Sequence, residues 1–197
     1  GGGIYNNRFG TLQVTNSTFS GNVAEEGGGI ANFGTATLEN TIVANSIGAN
    51  CTNNGSLIDG GGNLSWTDTT CPGLNADPLL GPLQDNGGPT QTHALLAGSA
   101  ALDAALLANC PATDQRGVGR PQGAGCDIGA YELESVGYNF SGFFQPVDNL
   151  PTWNIAKAGV SIPVRFSLSG DQGLDIFEAG YPTSKRMACG SGTPQDV

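Results

Sequence analysis

The sequence predicts an all-β chain: a right-handed parallel β-helix over residues 1–134, followed over 138–197 by part of an antiparallel Ig-like β-sandwich. Three observations carry this. Gly1-Gly2-Gly3-Ile4 returns as Gly27-Gly28-Gly29-Ile30 and Asn6 as Asn32, a period of 26 residues, which becomes 24 from Gly10-Thr11 onward, where Gly34-Thr35 and Asn40 (for Asn16) follow in step. A period of this size marks a repeat architecture whose unit buries its apolar face only by stacking on the next. Second, each unit alternates with period two, Leu12 and Val14 against Thr11, Gln13 and Thr15, as in a half-buried strand. Third, the alternation resumes near the end of the chain, where Ile162, Val164, Phe166 and Leu168 share one side.

In chain order, Thr11–Thr15 is the first strand of the repeat, and Ala36 and Leu38 stand in the second unit where Leu12 and Val14 stood. Asn16 and Asn40 interrupt the strands at corresponding places, and Asn tolerates the left-handed backbone of a sharp corner. The glycine triplets mark another corner. Residues 46–75 are expected to lengthen a third coil, with short strands at Ser56–Asp59 and Asn63–Trp66 around Gly60-Gly61-Gly62 and a loop between Cys51 and Cys71 lying over them. Trp66 is a packing residue or a surface platform for a sugar. Segment 72–92, rich in Pro and Gly, is expected mostly as turns, and Ala94–Asn109, rich in Ala and Leu, has helical propensity weakened by Gly98. The repeat-like pattern stops between Glu132 and Tyr138. Beyond it, Pro163 lacks an amide donor, so its strand is expected at an edge or to begin pairing after that residue.

The residues also carry family resemblances. Gly-Gly-Gly-Ile at 1–4 and 27–30, with Phe19-Ser20-Gly21-Asn22, resembles the GGxI and FxxN repeats of polymorphic outer membrane proteins and related bacterial surface β-helices. Asp77-Pro78-Leu79-Leu80-Gly81-Pro82-Leu83, Asn86-Gly87-Gly88-Pro89-Thr90, Thr92-His93-Ala94-Leu95 and Asp127-Ile128-Gly129-Ala130-Tyr131-Glu132 resemble the closing coils of surface proteins of the choice-of-anchor kind. Ala100-Ala101-Leu102-Asp103-Ala104-Ala105 departs from the Ser-Pro-Ala-Ile-Asp-Ala-Gly usual there, and its alanines suggest a short helix. Phe140-Ser141-Gly142-Phe143-Phe144, Pro146-Val147-Asp148-Asn149, Lys157-Ala158-Gly159, Pro163-Val164-Arg165-Phe166 and Gly173-Leu174-Asp175-Ile176-Phe177 resemble the PxKF domain, with Arg165 in place of its Lys. That resemblance implies a structural module at the C-terminus of bacterial surface proteins, without a catalytic role.

Composition bounds the partners. Of 197 residues 38% are apolar, enough for a core, and only 12% are charged, with a formal net charge of −10 that disfavours nucleic acid and anionic lipid. No apolar run reaches the length of a membrane span, so no membrane insertion is expected in this segment. The chain opens inside a repeat, which leads us to expect further coils upstream. Five cysteines are present, none spaced as CxxC. Cys51 and Cys71 flank one loop and Cys110 and Cys126 another, a pattern read as two disulfides in an oxidising compartment, with buried free thiols as the alternative. Cys189 is left over. Its 60-residue C-terminal segment is shorter than a sandwich requires, so either further strands and a partner cysteine follow, or a neighbouring chain donates strands.

Chemistry is sparse. A lyase built on such coils needs a basic residue, and a glycoside hydrolase needs two facing carboxyls. Residues 1–134 contain no Lys and only Arg8, Arg116 and Arg120, while Asp59, Asp68 and Asp77 occur singly in loops. His93 is the only histidine and is expected to cap or pack within its coil. Arg116 and Arg120 are expected to pair with Asp114 and Asp127. The Asn-x-Ser/Thr triplets at Asn16, Asn50, Asn54, Asn63 and Asn139 are frequent enough in so Asn-rich a chain to carry no assignment. No catalytic, cofactor-binding or metal-ligating residue is assigned, and no cofactor. The expected function is a non-catalytic extracellular or cell-surface structural or adhesive protein, with surface glycans or neighbouring copies of itself as partners. The alternatives are a subunit of an extracellular filament or surface layer assembled by strand donation, and a fragment of a carbohydrate-active enzyme, similar to polysaccharide lyases, whose site lies in upstream coils.

Overall fold

A computed structural model of the chain describes residues 1–134, 143–147, 163 and 165–166. It divides into two compact units, Gly1–Ser135 and Val136–Val197. The first unit is all-β. Its strands are β1 (Ile4–Asn6), β2 (Thr11–Thr15), β3 (Thr18–Ser20), β4 (Ile30–Asn32), β5 (Thr35–Glu39), β6 (Ile42–Ala44), β7 (Cys51–Asn53), β8 (Ser56–Asp59), β9 (Leu64–Trp66), β10 (Leu74–Asn75), β11 (Leu80–Gln84) and β12 (Thr92–Leu95).

The first nine strands fall into three parallel sheets, ordered β1-β4-β7, β2-β5-β8 and β3-β6-β9, with β10 added to the last. Each pass of the chain adds one strand to each sheet. The register follows the sequence repeat residue by residue: Ile4 faces Ile30 and Asn6 faces Asn32, 26 residues on, whereas Val14 faces Leu38 and Phe19 faces Val43, 24 residues on. The third pass corrects the sequence reading. Cys51 faces Ile30 at a spacing of 21 and Leu64 faces Ile42 at 22, so this pass is shorter than its predecessors, and Cys51 starts strand β7 instead of a loop laid over the coil. The disulfide reaches from that strand to Cys71, Cα to Cα 5.0 Å.

The corners follow from backbone sterics. Asn16 and Asn40 both have φ of +47°, the left-handed region that Asn enters at small cost. At the glycine triplet the limit is space: a Cβ on Gly28 would stand 2.3 Å from the Ile47 carbonyl oxygen and one on Gly29 2.6 Å from that of Asn50. Successive passes approach too closely there for any side chain.

Inside the coil, Val14, Ile30, Leu38, Val43, Cys51 and Cys71 form a core, with Ile4, Leu12, Phe19 and Leu57 at its margins. Beside it runs a polar column. Asn6 Nδ2 donates to Asn32 Oδ1 and Asn32 Nδ2 to Asn53 Oδ1, both at 2.8 Å, and the same amides also donate to the carbonyls of Thr35 and Ser56. An amide supplies both a donor and an acceptor, so identical residues satisfy one another up the stack and bury Asn32 fully.

Residues beyond β9 cover the outer face of the β3-β6-β9 sheet. Ile42, Ala44 and Leu64 point away from the coil interior and pack with Leu95, Ala101, Ala105, Cys126 and Ile128. Both faces of β6 are therefore buried, and its run Ile42-Val43-Ala44 is apolar throughout. Here one expectation is narrowed and another fails. Segment 72–92 contains β10 and β11, and β11 pairs antiparallel with β12. Ala94–Asn109 and the Ala100–Ala105 stretch within it form no α-helix: Gly98 has φ of +83° and Asp103 of +53°, and only a single 3-10 turn forms at Leu107–Asn109. The reason is tertiary pairing. The Ile128 amide donates to the Ala101 carbonyl and the Ala105 amide to that of Cys126, so the backbone groups a helix would use internally serve the neighbouring segment.

In the second unit, β13 (Phe143–Phe144) pairs antiparallel with β14 (Arg165–Phe166), and the rings of Phe143 and Phe166 meet edge to face at 6.3 Å. Among the described residues, Pro163 takes no part in this pairing, which involves Arg165 and Phe166. Phe140, Lys157, Ile162, Val164, Leu168, Gly173–Phe177 and Cys189 lie outside the described residues.

Candidate functional site

The densest polar assembly in the first unit is formed by Asp114, Arg116, Arg120, Asp127 and Glu132. Asp114 sits at a turn where its Oδ1 accepts from the amides of Arg116 and Val118, and its Oδ2 accepts from the Glu132 amide and from Arg116 Nε. Arg116 completes an ion pair with it at 2.8 Å and lies over the Tyr131 ring, 3.6 Å from its centroid. The expected Arg116–Asp114 pair is present. Arg120 differs from expectation: its ion-pair partner is Glu132, at 3.5 Å, and its two terminal nitrogens donate to the carbonyls of Asp127 and Gly129. The Asp127 carboxylate faces elsewhere, accepting from the amides of Asp103 and Leu133. Glu132 accepts from the amides of Gln122 and Asp127. Spacing alone pairs Arg120 with the next acid along the chain, Asp127, but the chain reversal between Asp127 and Glu132 turns the second acid inward.

This assembly locks the cover onto the coil. The Gly129 amide donates to the Asn40 carbonyl, and the Ala130 amide to Thr18 Oγ1. The Asn40 side chain both donates to the Leu106 carbonyl and accepts from the Leu106 amide, while Asn16 donates to the Asn109 carbonyl. The corner asparagines thus have two tasks, turning the coil and docking its cover. A second disulfide, Cys110–Cys126, closes the same region with Cα atoms 6.3 Å apart. A cleft of about 410 Å³ lies between Asn16–Phe19 and Thr113–Gln115, with Arg120 at its side.

Burial and hydrogen bonding pull these carboxyls apart in acidity. Burial alone would raise Asp114, yet the Glu132 amide, the Arg116 guanidinium and the amides of Val118 and Arg116 together hold it below its ordinary 3.8. At Asp127 burial wins over the amides of Leu133 and Asp103, and its carboxyl is raised above 3.8. Burial also lowers Arg120, against the attraction of Glu132, Asp114 and Asp127. Asp114 therefore contributes stability that is present above 3.8 and lost as pH falls through its folded value, whereas Asp127 gives a relative gain that is complete below 3.8 and lost as pH rises through its folded value. Asp68, held low by Thr70 and Asn50 despite burial, has the same sign as Asp114. Urea midpoints measured from neutral pH down to about pH 2 are expected to fall most steeply below the ordinary carboxylate range, with Asp114→Asn flattening that limb and Asp127→Asn removing the opposing gain above it.

The remaining sequence candidates are placed as follows. His93 lies on β12 with Nδ1 2.7 Å from the Gly81 carbonyl oxygen, a packing contact across the β11-β12 pair. Trp66 packs against the outer core. Asp59 accepts from the Gly61 amide and Asn63, and Asp77 from the Leu79 amide. Among the described residues, no group of three or more His, Cys, Asp or Glu is arranged to hold a metal ion, and no helix is long and apolar enough to cross a membrane.

A second feature escaped the sequence reading because its parts are distant in sequence. On the outward side of the β1-β4-β7 sheet, Tyr5 stands over Ala31 in register. The rings of Tyr5 and Phe33 lie 5.4 Å apart, tilted by 37°. With Glu25 and Glu26 they line a concavity of about 310 Å³ floored by Ala31.

These geometries define an all-β protein of stacked parallel strands, closed by a disulfide-bridged cover. No protein-family model matches the chain, and no curated protein or solved structure is significantly similar to it.

Proposed function

We propose that this chain serves as a non-catalytic structural or adhesive protein outside the cell or at its surface, its first unit coiling as a right-handed parallel β-helix and its second opening a β-sandwich. The observation that carries the proposal is the residue-by-residue stacking of three parallel sheets over successive passes. Such a stack is rigid and presents extended outward faces, which suits display and binding. Two disulfides fit an oxidising compartment. The buried acids of the cover support the same reading. Asp114, Asp127 and Glu132 each accept two or more backbone amides, which fixes loops and leaves them poorly placed to accept a substrate proton.

The test is incubation of the folded, disulfide-bonded chain with pectin, alginate and neutral glycans, followed by absorbance for unsaturated products and a reducing-sugar assay. No turnover is expected. Product formation that co-purifies with the folded chain would overturn the proposal.

A further inference from the structure

The turn between β7 and β8 carries Asn54-Gly55-Ser56, one of several Asn-x-Ser/Thr triplets that are equivalent in sequence, and the fold separates it from the others. Attachment of a sugar to asparagine needs a reachable side-chain nitrogen whose hydrogens are not committed elsewhere. Within the described residues the triplets begin at Asn16, Asn50, Asn54 and Asn63. Asn50 is 0% exposed, with Nδ2 2.6 Å from the Trp66 carbonyl oxygen, and Asn63 is 4% exposed, with Nδ2 donating to the Leu38 carbonyl and the Asp59 carboxylate, each at 2.7 Å. Asn16 is half-buried, and its Nδ2 donates to the Asn109 carbonyl at 3.0 Å, one of the contacts that dock the cover. Asn54 differs on both counts. It is exposed, and its side chain makes no hydrogen bond among the described residues; the same holds for the Ser56 hydroxyl. Only the backbone of this turn is fixed: the Asn54 amide donates to the Asn32 carbonyl at 2.7 Å and the Ser56 amide to that of Gly34 at 2.8 Å, and a Cβ on Gly55 would stand 2.1 Å from the Gly34 carbonyl oxygen. The segments before the turn, β4 and β5, and those after it, β9 and the cover, are all described, so the exposure of Asn54 belongs to the fold.

We propose that Asn54 is the position at which this chain carries an N-linked sugar, an inference that rests on the extracellular or surface reading above. The donor is a sugar activated as a diphosphate ester, brought by a glycosyltransferase. Asn54 Nδ2 attacks the anomeric carbon, and the new C–N bond forms as the bond from that carbon to the diphosphate oxygen breaks. The diphosphate leaves with that electron pair, and the amide gives up one proton to a base of the transferase. The hydroxyl of Ser56, two residues on, is the group by which a transferase selects such an asparagine, and here it is free to be engaged. At the other three triplets the reaction competes with the fold. Freeing the amide of Asn50 or Asn63 unpairs the carbonyl of Trp66 or of Leu38, and freeing that of Asn16 releases Asn109.

The experiment is glycopeptide mass spectrometry of the full chain purified from the cells that produce it, with the same cells fractionated to locate the protein. A sugar is expected on Asn54, with Asn16, Asn50 and Asn63 unmodified. A single hexose would identify a nucleotide diphosphate as the donor and an oligosaccharide a lipid diphosphate, and either supports the proposal. Asn54→Gln and Ser56→Ala are each expected to abolish the modification and Ser56→Thr to retain it, with circular dichroism confirming that these surface variants fold. The Ser56 variants separate enzymatic transfer from spontaneous reaction at an exposed asparagine, which does not depend on the hydroxyl. A bare Asn54, a sugar on Asn16, Asn50 or Asn63, or unchanged occupancy in folded Ser56→Ala would overturn the site while leaving the non-catalytic surface reading in place. Recovery of the protein from the cytoplasm alone would instead overturn that reading.

Discussion

Replacing Glu132 with Ala is expected to destabilise the first unit by about 3–5 kcal/mol, enough to consume much of the stability of a domain of this size. Both members of the Arg120–Glu132 pair have fully buried side chains. Removing the carboxylate strands a guanidinium in the interior, and it also orphans the amides of Gln122 and Asp127, which donate to Glu132 at 2.8 and 2.9 Å. Arg120→Met is expected to fall in the same range, because it leaves Glu132 charged and withdraws the donors to the carbonyls of Asp127 and Gly129. The double variant Arg120→Met/Glu132→Ala is expected to be less destabilised than the sum of the single changes, since no buried charge is left unpaired. Urea unfolding of the four proteins at neutral pH measures this. Additive losses would show that the two side chains act separately.

Leu38→Asp is the second change with a large expected effect. Leu38 is 1% exposed and sits in the inner core between Val14 and the third pass, in the middle strand of its sheet. Among the described residues, no lysine or arginine is buried there to pair with a carboxylate, and the cost of an unpaired buried charge is several kcal/mol. Because each pass is stabilised mainly by its neighbours, loss of the middle one is expected to unfold the coil cooperatively. Loss of the far-ultraviolet strand signal and rapid proteolysis are the expected results. The control Glu39→Gln, next in the chain on a partly exposed position, is expected to change stability by less than about 0.5 kcal/mol.

The repeat was legible because stacking forces like residues onto like positions. Ile4 over Ile30 and Asn6 over Asn32 are both sequence identities and structural partners, so the change of spacing from 26 to 24 could be read before any coordinates. The third pass was harder. Cys51, Thr52 and Asn53 share only the asparagine with Ile30, Ala31 and Asn32, and the shorter spacing of 21 hid it. The pairs Cys51–Cys71 and Cys110–Cys126 lie close along the chain, and their separations of 20 and 16 residues made those partners the natural choice. Helical propensity misled at Ala100–Ala105, where the backbone partners come from Cys126 and Ile128.

What the sequence by itself determined is the parallel stacking of successive passes: period-two alternation, a repeat of constant order and asparagine corners leave local sterics and stacking little choice. What only the tertiary structure decided is everything that joins distant passes. The outward faces of Ile42 and Leu64 are covered by Ala101, Ala105 and Ile128, Arg120 is paired with Glu132 across a reversal of the chain, and Tyr5 meets Phe33 on the outer wall. The reason is physical. Periodicity reports which way a side chain faces relative to its own strand, whereas burial on an outer face and the choice of charge partner depend on which segment arrives there, and no local pattern encodes that.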